Sequence, residues 1–112
     1  MAATFVALGS TTVPTGGVPV PLTVPATLTP PKGHALLLQP LPSNTGRIYV
    51  GVFGVNRTTL AGVLAILPTP TVNALPAFTV SIAQASNAIA VGDLWIDAEV
   101  SGEGVFGSVL VA

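Results

Sequence analysis

The chain has 112 residues, of which 50% are hydrophobic and only 6% charged, with a formal net charge of −1 and no cysteine. Average domains carry about 25% charged residues, so this composition offers little polar material for coating an isolated monomer or building an active site. It excludes disulfides and thiolate metal sites, and three scattered cations, Lys32, Arg47 and Arg57, cannot form the clustered basic footprint of a nucleic-acid binder.

Mean hydropathy is high, at +0.80, yet no stretch reads as a membrane span. The longest apolar run, Leu60 to Leu67, is broken at Gly62 and closed by Pro68, well short of the roughly 20 residues a spanning helix needs. The N-terminus shows neither a basic region nor a long apolar region, so no secretory signal is expected. The length predicts one domain. Eleven prolines and twelve glycines punctuate the chain, and helix interiors tolerate neither. With abundant Val and Thr, this predicts short strands.

In chain order, Thr4–Leu8 reads as a strand and Val18–Val24 as an edge strand or extended arm. Both fall in a Pro-rich zone, residues 1–31, where Pro14, Pro19, Pro21, Pro25, Pro30 and Pro31 alternate with Val, Thr and Leu. Proline lacks an N–H, which bars this zone from a central strand. Residues 32–112 are expected to form the body. There, His34–Gln39 is a strand, Ser43–Gly46 a turn, and Arg47–Phe53 a strand with Ile48, Val50 and Val52 on one face. Arg57–Leu67 has helical spacing at Leu60, Val63, Leu64 and Leu67, but Gly62 and Pro68 favour a strand or irregular loop. Phe78–Gln84 alternates as a half-buried strand. Leu94–Val100, the turn Ser101–Gly104 and Val105–Val111 read as a closing hairpin. Seven or eight strands predict an all-β fold, a small antiparallel β-sandwich or jelly-roll-like barrel.

Catalysis finds no support in the residues. The single histidine, His34, sits at a strand entry, and no nucleophile elbow, phosphate loop or two-histidine metal motif occurs. Asp97 and Glu99 lie two apart on one strand face, flanked by Asp93 and Glu103. Their spacing matches no calcium loop, so they read as a solvated face or as partners for Arg47 and Arg57. Trp95 shares that face. Turned outward it is an interface anchor; turned inward it is core. Asn56-Arg57-Thr58 matches a glycosylation sequon and is read as chance. No cofactor, metal, nucleic acid or membrane is expected, and the chain is not expected to be an enzyme.

Two stretches carry a family resemblance: Leu36 to Gly51, with Asn44-Thr45-Gly46-Arg47-Ile48-Tyr49-Val50-Gly51, and Asp93 to Val105, ending Gly102-Glu103-Gly104-Val105. Together they resemble small virion proteins of tailed bacteriophages, among them capsid decoration (cement) proteins. The resemblance covers residues 35 to 112. Between Asn56 and Pro76 this chain is longer and richer in proline, and residues 1–31 lie outside it. It implies a compact β-sandwich and a structural role on the outer capsid surface, with the major capsid protein as partner. Self-association as a homotrimer at local threefold positions is expected with it. The contact residues expected are Pro19, Val20, Pro21 and Leu22 in the arm, with Arg57, Trp95, Asp97 and Glu99 in the body. A tail, tail-tip or fibre component is the alternative.

Overall fold

The computed structural model describes residues 4–26, 32–33, 35–71, 74–81 and 89–111. The described residues form ten strands: β1 (Thr4–Thr12), β2 (Val20–Pro21), β3 (Lys32–Gly33), β4 (Ala35–Pro40) and β5 (Ile48–Gly51). β6 (Val63–Leu67), β7 (Phe78–Ser81), β8 (Ile89–Ala90), β9 (Trp95–Ala98) and β10 (Gly104–Val111) follow, with one 3-10 turn at Val91–Asp93. Among the described residues no helix is long and apolar enough to cross a membrane.

The pairing follows one rule. β1 pairs with β10, β2 with β9, β3 with β8, β4 with β7 and β5 with β6, all antiparallel. The chain is thus one long hairpin with its tip between β5 and β6. Rolling that ribbon up adds two lateral contacts, β10 on β4 and β9 on β5. The result is two four-stranded sheets, β1-β10-β4-β7 and β2-β9-β5-β6. This is the nested strand order of a jelly roll, with β3 and β8 as a separate two-stranded sheet.

Alternating side chains explain which face is buried. In β4, Leu36 and Leu38 point inward while Leu37 points out; in β5, Ile48 and Val50 are fully buried. Ile96 and Ala98 of β9 and Val105 and Val109 of β10 complete the layer between the sheets. A bulge between Ala7 and Gly9 lets Leu8 join that core.

Two expectations change and one open alternative is decided. First, β9 and β10 are not a hairpin: they lie in different sheets, and residues 99–103 carry the chain across the sandwich. Each strand turns its apolar face to the shared core, so sheet-switching buries both. The turn backbone pairs with Val13 instead, through Val13 N–H to Glu103 O at 2.8 Å and Gly102 N–H to Val13 O at 2.7 Å. Gly104 begins β10 so close to β1 that a Cβ would stand 1.9 Å from the Thr11 carbonyl oxygen.

Second, of the edge strand or extended arm expected over Val18–Val24, the edge strand forms, and the described part of the Pro-rich zone is an integral part of the sandwich. β1 and β2 are edge strands, one in each sheet, and Leu8, Val13 and Leu22 belong to the core. Removing residues 1–31 would strip both sheets of an edge, so the body is not separable there. Third, Val52 leaves the strand face it was expected to share and is exposed beyond β5.

Residues 57–67 take the strand-and-loop form. Asn56 Oδ1 accepts from the N–H groups of Thr58 and Thr59 at 2.8 and 3.0 Å. Leu60, at φ 63°, then ends the single turn in the left-handed region. The strand expected over Phe78–Gln84 is described as far as Ser81, and His34 lies outside the described residues.

Candidate interaction surfaces

The second sheet holds four of the eight expected contact residues, Val20, Pro21, Trp95 and Asp97. Pro21 pairs with Trp95 and Val20 with Ile96 across β2 and β9. Since Ile96 and Ala98 fill the core, Trp95 and Asp97 face outward. Trp95 is half-buried because Phe53, from the β5–β6 tip, leans edge-on against it, with ring centroids 5.0 Å apart at 77°. Phe53 itself is 78% exposed. Ile66 lies opposite Tyr49 in the neighbouring strand pair and is exposed, as are Val52, Leu60 and Leu64 around the tip. An aromatic pair rimmed by aliphatic side chains is the kind of anchor that dominates protein interfaces.

Other expected contact residues do internal work. Leu22 is buried in the core. Asp97, only 1% exposed, is covered by the segment linking β1 and β2. Its Oδ1 accepts from the Gly17 N–H and from its own neighbour Ala98 N–H, both at 2.8 Å. Arg57 Nη1 donates to the Ala98 carbonyl at 2.8 Å, and its guanidinium packs beside Gly16 and Gly17. Leu22 and Asp97 are therefore corrected from contact residues to interior ones. Arg57 is half-buried, as are Pro19 and Val20, whereas Pro21 is exposed.

Glu99 is committed to Arg47. Arg47 donates to its carboxylate through Nε at 3.0 Å, Nη2 at 3.1 Å and the backbone N–H at 2.7 Å. Glu99 N–H returns a bond to Arg47 O at 3.1 Å. The hydrogen bonds from Arg47 hold the Glu99 carboxyl below its usual range, and the same pair raises the Arg47 guanidinium. The Arg47 guanidinium also sits 5.9 Å from the Tyr49 ring centre.

Beside this pair, Glu103 accepts from Thr45 N–H at 2.7 Å, Thr45 Oγ1 at 3.0 Å and Gly46 N–H at 2.9 Å. Burial pushes its carboxyl up, but the bonds from Thr45 and Gly46 outweigh that and lower it. Asn44 completes the clasp from a buried position: Nδ2 donates to Gly104 O at 2.7 Å, and Oδ1 accepts from Gly104 N–H at 3.4 Å. The two stretches that carry the family resemblance thus meet as one structural fastening. Among the described residues no group of three or more His, Asp or Glu is placed to hold a metal ion.

The first sheet presents a different surface, absent from the sequence expectations. Its four strands contain no charged residue. On its outer face Phe5 is 76% exposed and Leu37 37%. They line an open groove of about 210 Å³ with Ala35, Thr79, Ser108 and Leu110, smaller than the roughly 300 Å³ at which small-molecule pockets begin. Phe53 escaped sequence reasoning because it stands beyond the end of β5, at the tip, and Phe5 because alternation does not say whether an outward face is covered. Comparison with protein-family models, curated proteins and solved structures finds no match to this chain.

Proposed function

We propose that this chain is a structural virion protein, a capsid decoration (cement) protein of a tailed bacteriophage that binds the outer capsid surface at capsomer junctions and stabilises the head. The observation that carries the reading is apolar surface on the outer faces of both sheets, around Phe53 and Trp95 on one and around Phe5 and Leu37 on the other. Exposed apolar patches of this kind mark contact sites, and a sandwich with one on each side can join two neighbours. The Phe53–Trp95 patch is the surface assigned to the major capsid protein. Many copies on one lattice bind by avidity, so each contact can be weak. The clasp and the buried Asp97 keep the loops rigid, which lowers the entropy lost on docking.

The test is a cryo-EM comparison of virions with and without this protein. Extra density at capsomer junctions, lost in the deletion, is the expected result. An unchanged head with density missing from the tail would instead identify a tail, tail-tip or fibre component. No difference in either would overturn a virion role.

A further inference from the structure

We propose that the outer face of the first sheet is a self-association surface that docks on the same face of a second copy. Charge argues for that occupant. The face-forming strands β1, β10, β4 and β7 carry no charged residue, so this face offers nothing to complement a charged partner. The same face of a second copy is equally uncharged and needs no counter-ion. Shape argues the same way. Phe5 projects at the rim of a groove that it lines with Leu37 and Leu110. A two-fold axis between two such faces sets each Phe5 over the other copy's groove, the reciprocal pattern of an isologous contact.

Area sets the strength. Strands rising about 3.3 Å per residue and spaced about 4.8 Å apart give a face of roughly 400 Å² per copy. Two copies then bury about 800 Å², half of the roughly 1,600 Å² of a standard interface. The pair is therefore weak and concentration-dependent. A face-to-face contact closes at two copies, unlike the homotrimer expected from the sequence. The proposal stands apart from the virion reading, because it is tested on the isolated protein.

The experiment is sedimentation equilibrium of the full chain over a wide concentration range, with Phe5→Ser, Leu37→Lys and Phe53→Ser beside the parent. The expected result is a rise from one-copy to two-copy mass. Phe5→Ser and Leu37→Lys should each weaken pairing by about tenfold or more, while Phe53→Ser leaves it unchanged. Circular dichroism melts check that the variants remain folded, and Phe5 is exposed enough for its replacement to spare the core. A one-copy mass throughout, a three-copy assembly, or pairing that is indifferent to Phe5→Ser with the fold intact would overturn the proposal. Failure of the parent chain to bind capsids, with its pairing intact, would count against the cement reading alone.

Discussion

Asn44 does with one side chain what a strand does with its backbone. Its amide meets both the N–H and the C=O of Gly104, while Leu41 N–H donates to the same carbonyl at 3.0 Å. The residue is buried, so the bonds it makes have no water to replace them. Replacing it with Ala leaves the Gly104 N–H without its acceptor in a dry place, at a cost of about 1–3 kcal/mol. Asn44→Ala should therefore lower the urea midpoint clearly without changing the slope of the transition. Thr45→Ala, removing an exposed hydroxyl bond, should move it much less. Equal midpoints for Asn44→Ala and the parent would mean that the side chain does not fasten this corner. In sequence, Asn44 was legible as a turn residue but its partner was not, because Gly104 lies 60 residues away.

At the scale of elements, two glutamates, Glu99 exposed and Glu103 half-buried, tie the β4–β5 connection to the β9–β10 connection. Hydrogen bonds hold both Glu99 and Glu103 below the usual carboxylate range in the folded chain. A group whose pKa is lowered by folding stabilises the fold above its unfolded pKa and ceases to do so as pH falls through its folded pKa. Stability should thus decline as pH drops below the ordinary glutamate range. Both groups keep contact with solvent, so the effect is modest and is screened by salt. Urea unfolding at stepped pH checks this: Glu103→Gln and Glu99→Gln should each flatten the acid limb of the profile. An acid limb identical in all three proteins would show that the clasp contributes nothing through charge.

The elements themselves were largely readable. Alternation at Leu36 and Leu38, at Ile48 and Val50, and at Ile96 and Ala98 marks strands and their buried faces. What alternation cannot state is which sheet a strand joins. The turn at Ser101–Gly104 signals a reversal, and a reversal within one sheet or between two leaves the same signature. The nested pairing decides it: β10 is already committed to β1 and β4, leaving β9 to β2 and β5. The proline zone was legible as far as its place at an edge. Pro19 and Pro21 bar a central strand but not an edge, and β2 is an edge.

For the whole molecule, the two apolar surfaces differ in construction, and that difference makes their roles separable. The first-sheet face is broad, shallow and uncharged, suited to a flat self-contact. The second-sheet patch is an edge-to-face pair of aromatics beside the tip of the rolled hairpin, with Phe53 standing out and Trp95 steadied against it. Compact aromatic anchors concentrate binding energy in few side chains. Truncating Phe53 should therefore weaken binding to a capsid lattice sharply while leaving the fold alone, since 78% of that residue already meets solvent. Phe53→Ser should need about tenfold or more protein to reach half occupancy on capsids that lack the native copies. Its melting temperature should match that of the parent. Titration by co-sedimentation with such capsids reads the first quantity, and calorimetry reads the second. Capsid occupancy equal to the parent's would remove the tip patch as the lattice contact. Lost occupancy with an unchanged melting temperature places the lattice contact at the aromatic pair, on the sheet opposite the self-association face.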